Sequence, residues 1–118
     1  MSRFSLFTDN HVRQQLVDGL RQRGWDVQRA IDAFPENTDD DDLFRYAADN
    51  RRVFVTNDDR IRATGEEWLE NERTFAGLIL WKLEHHRRYS EGWFIEKLEA
   101  LAEEEAPFLY PIRFINPD

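Results

Sequence analysis

The sequence predicts an α/β fold: three layers, α/β/α, with a mostly parallel central sheet of about five strands. Three observations carry this prediction. Short apolar runs rich in β-branched or aromatic residues alternate with amphipathic stretches along the chain. Turn and cap residues separate most of them. The chain shows no internal repeat, low-complexity segment or linker, and its 118 residues, 41% hydrophobic and 14% aromatic, suffice for one core. One domain over residues 1–118 is therefore expected.

The elements are justified in order. "RFSLF" (3–7) reads as a first strand, ended by Thr8-Asp9-Asn10. In "HVRQQLVDGLRQRG" the residues Val12, Leu16, Val17 and Leu20 share one helical face, with Asp9 or Asn10 as N-cap and Gly24 at the left-handed end. "WDVQRA" (25–30) is a second, short strand, and "FPENT" (34–38) a loop. Thr38 or Asp39 caps a helix through "LFRYAADNRR", with Leu43, Tyr46 and Ala47 towards the core. "VFVT" (53–56) is a buried strand. A helix runs from Asp59 towards Asn71, with a possible break at Gly65. "FAGLILWKL" (75–83) is the longest apolar run and fits a central strand. "HHRR" (85–88) reads as a solvated loop before an amphipathic helix capped by Ser90, with Phe94, Leu98, Leu101 and Ala102 on one face. "FLYPIRFI" (108–115) is a last strand, placed at an edge because Pro111 cannot donate to a ladder.

Composition excludes several functions. There is no Cys, hence no disulfide or thiolate metal site. No apolar run nears the ~20 residues of a membrane span, and the start lacks a signal-peptide core, so no membrane partner is expected and a cytoplasmic location is the default. The formal charge of −8 disfavours broad binding to nucleic acid. It is compatible with an enzyme whose acids hold a metal and whose metal faces a phosphate.

The acids fall in telling places. Asp9 follows the first strand; Asp58 and Asp59 follow "VFVT". In open α/β sheets ligands bind beyond the carboxyl ends of strands. The run Asp39-Asp40-Asp41-Asp42 opens the helix leading into "VFVT" and reaches the same edge if "WDVQRA" runs parallel. Three pieces of chain would then converge on one acidic pocket suited to Mg²⁺ or Mn²⁺. Each acid also has a plain structural reading, as a cap or turn residue. The joint pattern is what favours chemistry. The adjacent His85 and His86 lack a third nitrogen ligand nearby, which argues against zinc.

"FTDNH" (7–11), "RGWDV" (23–27) and "DDDDLFRYAADNRRVFVTND" (39–58), in this order and spacing, resemble the PIN-like nuclease superfamily, in particular compact bacterial domains related to toxin ribonucleases of toxin–antitoxin modules. The resemblance covers residues 4 to about 60 well and the remainder more loosely. It implies a Mg²⁺- or Mn²⁺-dependent endoribonuclease acting on single-stranded RNA, with an antitoxin chain and a homodimer as partners. Carried over by position, metal would be held by Asp9, Asp40 with Asp41 beside it, and Asp58; Asp41 or Asp59 would ligate or orient the attacking water. The catalytic set is thus Asp9, Asp40, Asp58 and Asp59. Thr56 or Asn57 would steady a carboxylate, and Arg13, Arg60 and Arg62 are candidates for substrate phosphates. The chain departs from the family pattern where Asn10 stands for Glu and Arg60 for a second acid. Those departures support one alternative, a catalytically silent PIN-like interaction module. A second alternative, a phospho-accepting receiver-like domain, ranks last: it needs an acidic pair after the first strand, where only Asp9 with Asn10 stands, and a downstream lysine, for which Lys82 is the sole plausible residue.

Overall fold

Alternating apolar runs become a five-stranded, all-parallel sheet in the computed structural model, which describes residues 4–103 and 111–115. The strands are β1 (Leu6–Thr8), β2 (Val27–Arg29), β3 (Val53–Thr56), β4 (Leu78–Leu80) and β5 (Ile112–Phe114), in the order β2-β1-β3-β4-β5. They pair Leu6 with Val27 and Val53, Phe54 with Leu78, and Leu78 with Ile112. The helices are α1 (Gln14–Gln22), α2 (Ala30–Ala33), α3 (Asp40–Asp49), α4 (Asp59–Glu70), α5 (Leu83–Arg88) and α6 (Glu91–Ala102).

Strand periodicity of two divides the core. Leu6, Val53, Val55 and Ile79 point to one face and meet Leu16, Val17 and Leu20 of α1 and Phe94 and Leu98 of α6. Phe7, Phe54, Leu78 and Leu80 point to the other and meet Leu43, Phe44 and Ala47 of α3 and Ile61 and Trp68 of α4. The expected three layers are present. Because both faces are covered, the central strands are apolar on every residue and show no alternation.

Local differences from the expectations have physical reasons. Asp9 does not cap α1; its N-cap is Arg13. Asp9 instead makes a tight turn, its Oδ1 accepting from the His11 amide at 3.0 Å and its carbonyl from the Val12 amide at 3.3 Å. Gly24 has φ 87°, as the left-handed position requires. Residues 85–88 are not a solvated loop but part of α5, because His86 is buried against Trp81 and Phe94. Trp81 and Lys82 lie beyond β4 rather than within it. β5 is an edge strand, as Pro111 suggested; 108–110 lie outside the described residues. No helix among the described residues is long and apolar enough to cross a membrane.

Gly65 does not break α4. It lets α4 sit directly on the sheet: a Cβ there would lie 2.9 Å from Leu78 Cδ2 and 3.3 Å from Ile112 Cδ1. Gly65→Val is expected to destabilise the fold by about 1–3 kcal/mol, read as a lower urea midpoint at unchanged slope. A variant as stable as the parent would mean that α4 has slack against β4 and β5.

Candidate functional site

The sheet order reverses between β1 and β3, since β1 is followed by β2 on one side and β3 lies on the other. At such a switch point the connections leave on opposite faces and a crevice opens beyond the carboxyl ends. Asp9 follows β1 there, and Thr56 ends β3, followed by Asn57 and Asp58. β2 runs parallel to β1, so the chain leaving it delivers the N-terminus of α3, with Asp40, to the same edge. A cleft of about 290 Å³ is lined by Asp9, His11, Glu36, Asp39, Asp40 and Arg60 among others.

Asp9 is buried, with 6% of its surface exposed. Thr56 Oγ1–H donates to Asp9 Oδ2, and Thr56 Oγ1 accepts from the Asp58 amide at 3.0 Å. One hydroxyl thus links the ends of β1 and β3. Burial raises the Asp9 pKa to about 6, against the lowering effect of the Thr56 bond and of His11. A turn alone does not need this: Asn would accept the His11 amide without a buried charge. Asp40 is half-buried; its pKa is raised by burial and then by the charge of Asp58. Asp58 has a lowered pKa because Arg60 hydrogen-bonds it, with burial opposing. Asp58 also accepts from the Arg60 amide at 3.0 Å as the N-cap of α4. The Arg60 guanidinium covers both its oxygens, Nε at 3.1 and 3.2 Å and Nη2 at 2.7 Å. His11, outside α1 and exposed, has Nε2 3.5 Å from Asp58 Oδ2.

The structure therefore brings Asp9, Asp40, Asp58 and Arg60 within electrostatic reach of each other. It sets other candidates apart. Asp41 is exposed and faces α4, accepting from Thr64 Oγ1 at 3.4 Å. Asp59 is exposed and pairs with Arg62 at 3.5 Å. Asn57 donates to the His11 carbonyl at 3.0 Å, not to a carboxylate. Arg13 is not placed to meet a phosphate in the cleft. Its guanidinium donates to the carbonyls of His86 and, at 2.8 Å, Tyr89, and pairs with Glu91 at 2.6 Å, so it clamps α1 to α5 and α6. His11, two residues from Asp9, lines the cleft too; Glu36 lines it without having been singled out, and the loop "FPENT" gives no signal of it.

A family model described as a PIN like domain matches residues 4–79. This chain belongs to the PIN-like domain family. The match runs from β1 into β4 and includes Asp9, Asp40 and Asp58. No curated protein and no solved structure matches the chain significantly. The strand order β2-β1-β3-β4-β5 also occurs in receiver domains, so topology alone would not separate the two folds; the family match does. PIN-like domains generally include nucleases, and PIN domains typically depend on divalent metal.

The PIN-like site can be tested for its fit to such an ion. Its donor type fits: three carboxylates offer only hard oxygen ligands. Its present spacing does not: among the described residues no three His, Cys, Asp or Glu side chains are grouped closely enough to hold an ion. Asp58 gives both oxygens to Arg60, and Asp9 gives its two to Thr56 and His11.

Two buried groups set opposite pH dependences. Asp9 binds its proton more tightly folded than unfolded, so its contribution to stability is full below pH 3.8 and lost as pH rises to about 6. His86 is the reverse. Burial, and then the charge of Arg13, lower its pKa from 6.5 to about 4; two donors, Trp81 Nε1–H at 3.2 Å and the Arg13 amide at 3.3 Å, face its ring nitrogens, of which the neutral ring offers one as acceptor. Its contribution is full above pH 6.5 and lost as pH falls to about 4. In metal-free buffer Asp9→Asn should therefore raise the melting temperature near neutrality and leave a profile that climbs with pH over that window. A variant whose melting curve tracks the parent at every pH would contradict the burial of a charged Asp9.

Proposed function

We propose that this PIN-like domain is an endoribonuclease that hydrolyses RNA phosphodiester bonds with Mg²⁺ or Mn²⁺. The observation that supports it best is the buried Asp9 carboxyl at the β1/β3 switch point, facing the same cleft as Asp40 and under the charge of Asp58. A carboxylate kept in a site that raises its pKa serves chemistry better than it serves a turn. A divalent ion held by Asp9, Asp40 and Asp58 would present positive charge to the phosphate and acidify a bound water. Thr56 fixes the orientation of Asp9 through Oδ2. Arg60 must leave Asp58 for the three acids to act together; the Arg60 side chain is 77% exposed against 11% for Asp58, so the guanidinium has open solvent to turn into.

The Arg60–Asp58 fork is also the specific observation that favours a second reading, a silent PIN-like interaction module in which Arg60 permanently neutralises the site. Cleavage of a fluorogenic single-stranded RNA, in Mg²⁺ or Mn²⁺ and with chelator, separates the two. The nuclease reading expects metal-dependent cleavage that falls on the order of 10²-fold or more in Asp9→Asn and Asp58→Asn. Metal-dependent cleavage unaffected by either substitution would overturn it, and absence of cleavage in both metals would favour the silent module. The proposal also predicts that Arg60→Ala enlarges the rise in melting temperature caused by millimolar Mn²⁺, because a competitor for Asp58 has been removed. An unchanged rise would show that Arg60 does not compete. We include in the proposal the toxin role that the resemblance implies: growth arrest on expression, relieved by an antitoxin encoded alongside, is the expected outcome in cells.

A further inference from the structure

The carboxyl edge of the sheet does not end at the acidic cleft. A second cleft, containing His11, Asp58, Arg60 and Leu83, adjoins it, and a third of about 290 Å³ follows beside β4 and β5. The first two share His11 and Arg60; the last two share Asn57 and Asp59. They form one continuous edge running across the strand order from α3 to β5. Four strand spacings from β2 to β5 amount to roughly 19 Å.

The character of this edge changes along its length. The α3 end is acidic, whereas the β5 end carries Lys82, the ring of Phe114 and Arg62, the last paired with Asp59 at 3.5 Å. Phe114 is 45% exposed. By strand alternation it shares the face of Ile112, which is buried under α4, yet at the carboxyl end of β5 the ring is left open. The Arg62 guanidinium stands 5.9 Å from its centroid. Leu83, also 45% exposed, borders the middle cleft, so two of the three exposed large apolar side chains among the described residues lie along this one edge.

We propose that the β4–β5 end is a subsite for an unpaired nucleotide of a single-stranded RNA substrate, with its base stacked on Phe114 and its phosphate met by Arg62 and Lys82. The proposal rests on the nuclease reading for the identity of the ligand. A chain of net charge −8 cannot hold a polyanion by its overall field. It needs local cations and a sequence-tolerant stacking surface, and aromatic rings flanked by Arg supply both. Such a subsite would hold the strand along the sheet edge with the next phosphates lying over Asp58 and Asp9.

Fluorescence anisotropy of an end-labelled single-stranded RNA, measured with the full chain in chelator so that no cleavage occurs, tests this. Phe114→Ala should weaken binding on the order of 10-fold, as loss of one stacked base does, while Phe114→Trp holds it. The pair Arg62→Ala and Lys82→Ala should weaken binding and flatten its salt dependence. Base-paired RNA of the same sequence should bind weakly and be indifferent to Phe114. Unchanged single-strand binding in Phe114→Ala, or an equal loss in Phe114→Trp, overturns the subsite. The outcomes also separate the two proposals. A parent that cuts RNA but binds it without Phe114 sinks the subsite alone. A parent that binds through Phe114 but never cuts sinks the nuclease reading alone.

Discussion

The hydroxyl of Thr56 joins the two strand ends on which the site depends. It donates to the Asp9 carboxylate and accepts the Asp58 amide, so the last residue of β3 fixes both the acid after β1 and the start of α4. Asp9 lies below the surface, where water cannot solvate its charge, and Thr56 and the His11 amide supply the compensation that keeps it in place. The compensation is incomplete, which is why the pKa of Asp9 stands well above that of an ordinary aspartate. The parallel sheet then does the rest by geometry. With all strands pointing one way, every carboxyl end, and the entry to α3, lies along the same edge.

A second polar assembly supports the opposite layer. Arg13 reaches from the start of α1 to two carbonyls around α5 and to Glu91 at the start of α6, and the buried His86 ring sits between Arg13, Trp81 and Phe94. This locks α1 against α6 and fixes the segment between β1 and α1 in which His11 lies. Arg13 acts here through packing and hydrogen bonds. The contrast with Arg60 is instructive: one arginine is held by the interior, while the other lies on the surface and grips a carboxylate of the cleft.

Much of the architecture was legible from local sequence. "VFVT" and "LIL" are apolar at every position because both faces are covered, and the acids after "LFT" and "VFVT" announced where the strands stop. The convergence of Asp9, Asp40 and Asp58 followed once the sheet was taken as parallel. What escaped depended on contacts between distant segments. Nothing near "HHRR" shows that His86 turns inward under Trp81, so a basic stretch read as a loop when it is a helix. Arg13 was a candidate for substrate phosphates because its partners, His86, Tyr89 and Glu91, come from the far half of the chain and give no local signal. Arg60 was recognisable as a basic residue where a second acid is usual, but that it would fork both oxygens of Asp58 is a matter of rotamer and not of spacing.

The proposed nuclease centre requires Asp9, Asp40 and Asp58 to act together when a doubly charged ion replaces the Arg60 guanidinium. Anomalous scattering from crystals grown in Mn²⁺ addresses this directly. The expected result is a manganese peak shared by these three carboxylates, with Arg60 turned away from Asp58. A map with no peak in the cleft and the Arg60–Asp58 fork intact would contradict it.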